Sequence, residues 1–225
     1  MFYRISSNSK NWVAFEKKLR KKYIDKNKLQ YHLTQSQSFQ DIFAHQIQPL
    51  KGTYVELGSN HPIDFSNSYC LEKLFDWRGI SLEIEKKYQW DWKTYRHNKL
   101  LIQDALSTNY VQCLEDNEIT EIDYLSLDLS PNSATIQCLE TLLGQGVLPK
   151  SISVEDDRFA NKDSDKKIYD ILINKGYKIA VQDVQSRDHI TARQYVYENW
   201  YVRNDVSFVT QKYTDWINSI DQQFE

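Results

Sequence analysis

The sequence predicts an α/β protein with a doubly wound, mostly parallel sheet and an N-terminal helical arm. Three observations predict it. Short β-rich apolar runs alternate with helix-period patterns along most of the chain, as βα units stacked into a parallel sheet require. The stretch from Gly52 to Asn67, GTYVELGSNHPIDFSN, reads as a strand, a tight turn at Gly58, Ser59 and Asn60, and the approach to a helix. Finally, Glu56, Glu83, Asp104, Asp128 and Glu155 fall at or near the carboxyl ends of predicted strands, outside which ligands of open α/β sheets bind. Acids at strand exits also cap the helices that follow, a reading that suits Asp104 and Asp128 well.

Composition narrows the class. A chain of 225 residues holds one large α/β domain plus an arm, and the expected division is an arm over 1–35 and a domain over 36–225. Apolar residues at 40% and aromatics at 13% suffice for a full core. Lys and Arg number 28 against 31 Asp and Glu, a net charge of −3, which leaves no electrostatic footprint for nucleic acid. No apolar run approaches membrane-spanning length and no leader pattern opens the chain, so no membrane partner is expected. Cys70, Cys113 and Cys138 each sit in an apolar helical pattern; they read as core thiols and the protein as cytoplasmic. Neither CxxC nor HxxxH spacing suggests zinc.

The elements follow in order. Trp12, Phe15, Leu19 and Tyr23 recur at helical spacing through a basic run, which suggests an amphipathic arm with a solvated basic face. Ser36–Ile47 reads as a second helix capped by Ser36 or Ser38; Gln37, Gln40 and Asp41 are either surface residues or close over a ligand. After the first strand come a helix over Ser66–Phe75, a strand over Ile80–Ile84, a Tyr- and Trp-rich helix over Lys86–His97 and a strand over Leu100–Ile102. A short helix near Val111 precedes an alternating fourth strand, Ile122–Leu129, with Pro131 suited to the first turn of the next helix. Ser151–Val154 is the fifth strand, ending in Glu155, Asp156 and Asp157. A helix through Ile168 and Leu172 closes at Gly176, Lys178–Val184 is a sixth strand, Tyr195–Val209 holds a strand or hairpin at an antiparallel edge, and Trp216 and Ile217 anchor a terminal helix.

The turn after the first strand discriminates between ligands. A dinucleotide site uses G-x-G-x-x-G so that backbone can approach a pyrophosphate; here Gly58 is the only glycine of the turn and Asn60 stands where the next would be. That argues against a nucleotide-dependent dehydrogenase. S-adenosylmethionine carries no phosphate, bears a sulfonium and an ammonium, and suits an acidic crevice. Glu83, 25 residues after Gly58, stands where an acid reaches ribose hydroxyls. Asp128, Glu155, Asp156 and Asp157 fall on neighbouring strand ends; close carboxylates raise one another's pKa and can make a base, or bind Mg²⁺. His61 and His189 are alternative bases.

These residues resemble the FkbM-type S-adenosylmethionine-dependent methyltransferases over roughly Ser36 to Asp205. The resemblance rests on Ser36-Gln37 with Gln40-Asp41, on Gly52 through Pro62, on Ser66-Asn67 with Tyr69, Leu71 and Glu72, on Trp77-Arg78-Gly79 with Glu83, on Ile122 to Asp128, and on Glu155 and Glu198-Asn199-Trp200. It implies a class I methyltransferase sheet of seven strands, the last antiparallel. It also implies that Glu56, Gly58, Ser59 and Asn60 line the methionine moiety, Glu83 the ribose and Asp104 with Ala105 the adenine, with Asp128 beside the transferring methyl. Because strands four and five should flank the cofactor crevice, Asp128, with Glu155 or Asp157 nearby, is the expected catalytic carboxylate, and the expected acceptor is a hydroxyl on a small molecule or glycan. Ser130-Pro131 replaces an acid-glycine pair that many family members carry after the fourth strand. That departure motivates an alternative, a catalytically weakened relative that binds the cofactor.

Overall fold

The computed structural model describes residues 34–156, 158, 163–187 and 194–223. The predicted arm, apart from Thr34 and Gln35, lies outside them, as do Asp157 and His189. Eight strands form one sheet: β1 (Thr53–Leu57), β2 (Arg78–Glu83), β3 (Lys99–Ile102), β4 (Tyr124–Leu127), β5 (Ser151–Glu155), β6 (Tyr177–Arg187), β7 (Gln194–Arg203) and β8 (Gln211–Lys212). Their spatial order is β3-β2-β1-β4-β5-β7-β6-β8. All pairings are parallel except those of β7, which runs antiparallel to both β5 and β6. The doubly wound, mostly parallel sheet is therefore present, with one short strand more than the seven expected.

Helices cover both faces, and the alternation of each strand sorts its side chains between them. Val55 and Leu57, Ile80 and Leu82, Leu125 and Leu127, and Ile152 and Val154 point to one face. There they meet Cys113 of α4 (Tyr110–Glu115), Leu139 and Leu142 of α5 (Asn132–Gly144) and Ile168 and Leu172 of α6 (Ser164–Asn174). Tyr54, Tyr124, Trp200 and Val202 point to the other face. They pack on Phe43 of α1 (Gln40–Ile47), Phe75 of α2 (Tyr69–Phe75) and Trp216 of α7 (Tyr213–Gln223). A further helix, α3 (Gln89–Tyr95), follows β2. Cys70, Cys113 and Cys138 are buried and form no disulfide among the described residues, as predicted.

Three expectations change. β7 is not at an edge: its backbone pairs with β5 on one side and β6 on the other, with Trp200, Tyr201 and Val202 buried, and β8 takes the edge instead. The fourth strand is only four residues long and wholly buried, because helices cover both its faces. Neither Ser36 nor Ser38 caps α1. Its N-cap is Phe39, in a left-handed conformation, and Ser36 instead donates to the Asp41 carboxylate at 2.7 Å.

A candidate active site at the carboxyl ends of the strands

A cavity of about 620 Å³ opens where β1, β2 and β4 end. Its lining comes from the turn after β1, the exits of β2 and β4, Ser153 of β5, Tyr197 and Glu198 of β7, and Gln37 and Gln40 at α1. Six carboxyl groups face it, from Glu56, Asp64, Glu83, Glu85, Asp128 and Glu198, against one lysine, Lys87. Such a cavity favours ligands that carry positive charge or present hydroxyl and amine donors.

The turn after β1 is shaped by backbone contact. Gly58 has φ +81°, and a Cβ there would overlap the Asp128 carbonyl oxygen, so any larger residue must displace the β4 exit. The backbone N–H groups of Gly58 and Ser59 both donate to the Leu82 carbonyl, at 3.0 and 3.3 Å, and that of Asn60 donates to Glu83 Oε2 at 2.9 Å. These amides are spent on β2 and present no anion cradle, which accounts physically for a turn unsuited to a pyrophosphate. Glu83 also accepts from the Glu85 amide at 2.9 Å, so it organises the loop as well as facing the cavity.

Glu56 is buried and fully engaged. Ser68 and Ser81 hydroxyls donate to Oε2 at 2.7 and 2.8 Å, and the Asn67 amide to Oε1 at 3.2 Å. Burial raises its pKa, against the opposing pull of Arg96 and these hydrogen bonds. Its partners are thus protein groups, where the sequence suggested a ligand as one candidate. Arg96, which no sequence pattern singled out, is the buried cation behind them. Its guanidinium donates to Glu72, Ser68, Tyr54 and the Pro62 carbonyl at 2.8–3.0 Å, and stacks 4.3 Å from the Trp92 ring centroid. It thereby ties the β1–α2 loop to α3.

At the opposite end stands Glu198, 3% exposed. Gln40 Nε2 and Trp200 Nε1 each donate to its Oε1 at 2.7 Å. Burial first, then the nearby Asp128 and Asp156, push its pKa up to about 8, against the Trp200 and Tyr197 hydrogen bonds. Gln40 also donates to the Tyr197 hydroxyl at 2.7 Å. Of the two readings of Gln40 and Asp41, the surface one therefore fails: both are buried. Asp41 accepts from Thr34, Ser36, the Gln35 amide and its neighbour Ile42, anchoring the start of α1.

The cavity gathers Glu56, Gly58, Ser59, Asn60, Glu83 and Asp128. It does not gather the rest. Asp104 accepts from the Leu106 amide at 2.8 Å, capping a short 3₁₀ turn, and neither it nor Ala105 lines the cavity. Glu155 ends β5 opposite Glu198 in register but is not part of the lining. Asp156 is bound by Arg158, Nη2 to Oδ2 at 2.6 Å, which separates it from the supposed cluster of carboxylates. Among the described residues no group of three or more His, Cys, Asp or Glu is placed to hold a metal. His61 Nδ1 accepts from the amides of Ile63 and Asp64 at 3.2 and 2.9 Å, and so serves as a turn cap.

Neither a family model nor a curated protein matches the chain. Solved structures do match in shape. CalS11, a TDP-rhamnose 3′-O-methyltransferase of calicheamicin biosynthesis, superposes with a TM-score of 0.54 at 13% identity, over 89% of this chain and 98% of that one. The Podospora anserina methyltransferase PaMTH1, solved with S-adenosylhomocysteine, gives 0.52 at 15% identity over 88% and 89%. The S. pombe Dnmt2 methyltransferase gives 0.53 at 13% identity over 74% of this chain, which spans only 54% of its length. The fold is that of the class I methyltransferases. In this methyltransferase fold, the seven strands up to β7 carry the sheet, and β8 extends its β6 edge. No helix among the described residues is long and apolar enough to cross a membrane.

Proposed function

We propose that the chain is an S-adenosylmethionine-dependent methyltransferase, FkbM-like in its motifs, that methylates a hydroxyl on a small molecule or glycan. One observation carries the cofactor reading. Ser59 Oγ and Asn67 Oδ1 are buried at the cavity beside Glu56 and have no hydrogen-bond partner among the described residues. Buried polar atoms are rarely left so, and two acceptors in an acidic wall suit an ammonium donor. When bound, the cofactor supplies an electrophilic methyl group on a sulfonium. Ser59, Asn60 and Asn67, with Glu56 behind them, would hold its amino-acid end and Glu83 its ribose. Asp104 and Ala105, at the exit of the neighbouring strand β3, keep the adenine role by the resemblance alone. The CalS11 likeness and the polar lining near β7 support a hydroxylated acceptor.

Asp128 lies exposed at the cavity and positions ligands there, and Ser130 beside it also lines the wall. Because Ser130-Pro131 departs from the family pattern, a relative that binds the cofactor without turnover is the second reading. Calorimetry with S-adenosylmethionine, S-adenosylhomocysteine, NAD and NADP tests the cofactor, with binding of the first two only as the expected result. Methyl transfer from labelled S-adenosylmethionine to a panel of glycosides then separates the two readings.

A further inference from the structure

Resting on the methyltransferase reading above, we propose that the end of the cavity between α1 and β7 is the acceptor subsite, and that Glu198 receives the acceptor's hydroxyl proton. The cavity has two ends of different chemistry. Around β1 and β2 its unpartnered atoms are the Ser59 hydroxyl and the Asn67 carboxamide oxygen, and Lys87 and His61 stand there. Around β7 it is lined by Gln37, Gln40, Ser153, Tyr197 and Glu198, with no lysine or arginine among them; Gln37, Gln40 and Tyr197 direct their own donors to protein partners, which leaves Glu198 to accept from a ligand. A neutral hydroxylated ligand matches that set, because a hydroxyl can donate to the carboxylate without bringing a charge into the site.

Within this end Glu198 is the group built for proton transfer. Both N–H donors fall on Oε1, which fixes the carboxylate and leaves Oε2 without an N–H donor. The α1 helix supplies one of those donors across the cavity floor, so the carboxylate is held from two elements. In the step the acceptor O–H bond breaks, a bond from the proton to Oε2 forms, and the O–H electron pair stays on the acceptor oxygen. The resulting acid returns its proton to water. A carboxylate is a useful base near neutrality only when its proton affinity is raised, and here burial does this. Around Glu198 the nearby acids add to the effect of burial, while the Trp200 and Tyr197 hydrogen bonds oppose it. Asp128 stands at the β4 exit, and Glu155 and Asp156 at the β5 exit, the latter carrying Arg158. The phenols of Tyr124, Tyr197 and Tyr213 lie on β4, β7 and α7.

The test uses the whole chain, with its glutamate carboxyls labelled with ¹³C, saturated with S-adenosylhomocysteine and probed with methyl α-L-rhamnopyranoside. A carboxyl signal titrating near pH 8, identified by its loss in Glu198→Gln, is expected to move when the glycoside is added. Glu198→Gln should keep S-adenosylhomocysteine affinity within about threefold while losing about tenfold or more in glycoside affinity. Gln40→Ala should weaken the glycoside and shift the pH at which that signal titrates, because it removes one of the two N–H donors on Oε1. A signal indifferent to the glycoside, or a Glu198→Gln protein that binds it as tightly as wild type, overturns the acceptor subsite. Loss of S-adenosylhomocysteine binding in Glu198→Gln also overturns it, by placing Glu198 at the cofactor end. A wild-type protein that binds no S-adenosylhomocysteine refutes the methyltransferase reading itself.

Discussion

Glu56 and Glu198 are the same side chain, each 3% exposed, each on an interior strand, each facing one cavity. Their surroundings differ. Glu56 meets two serine hydroxyls and a backbone amide, with the Arg96 cation close enough to oppose the cost of burial. Glu198 meets a neutral amide and an indole, and the charges nearest to it are acids that add to that cost. Burial alone therefore does not decide what a carboxylate does. The sign of the charge behind it separates a group that organises a loop from one that holds a proton near neutral pH.

The largest effect should come from removing that charge. Arg96→Met strands Glu72 and Glu56 in the interior without their cation, and such losses cost about 3–5 kcal/mol. Urea unfolding should show it at pH 7, with partial recovery at lower pH as both carboxyls protonate. An unfolding midpoint that does not move would mean the hydrogen bonds alone hold Glu56.

Glu198 should make stability fall with rising pH. Its folded-state pKa, about 8, lies above the ordinary value of 4.5, so its favourable contribution is full below pH 4.5 and is lost as pH rises through 8. Linkage over that window amounts to a few kcal/mol. Asp41, Glu56 and Asp156 are shifted the same way, so Glu198→Gln should flatten the profile between pH 6 and 9 rather than abolish it. An unchanged slope would show that Glu198 titrates normally.

Glu83→Ala sharpens the other side of the comparison. It should weaken S-adenosylmethionine by about 1–3 kcal/mol in calorimetry, through ribose hydroxyls left unpaired and an Asn60 amide released. Unchanged affinity would remove the ribose assignment. The smallest effect is expected for Asp128→Asn. Because Asp128 is exposed, cofactor affinity should stay within about threefold, with turnover falling less than in Glu198→Gln. Equal losses in the two variants would return Asp128 to the role of base.

Much of this fold was legible because α/β alternation is a local signal. Strands one to five, their helices and the turn at Gly58 follow from periodicity and one glycine. What the turn does was only half legible: the glycine was visible, but not the Asp128 carbonyl it must clear. The acids at the exits of β4 and β5 look alike in sequence, which cannot show that Arg158, two residues from Asp156, pairs with that carboxylate. Arg96 was invisible for the same reason, as its five partners, all between Tyr54 and Glu72, lie 24 to 42 residues before it in the chain. Glu198 appeared only as part of a late motif. Its function depends on Gln40, and no periodicity links positions so far apart.

That separation has a consequence for how the molecule assembles. The bond from the Asn60 amide to Glu83 spans 23 residues and lies within a single βαβ unit, whereas the bond from Gln40 to Glu198 spans 158. Short loops close at little entropic cost and long ones late. The end of the cavity around β1 and β2 is therefore expected to form while the chain is still being synthesised, and the end around β7 only once nearly all of it has emerged. Pulsed hydrogen exchange during refolding would read this order directly, with the β1 and β2 amides protected before those of β7.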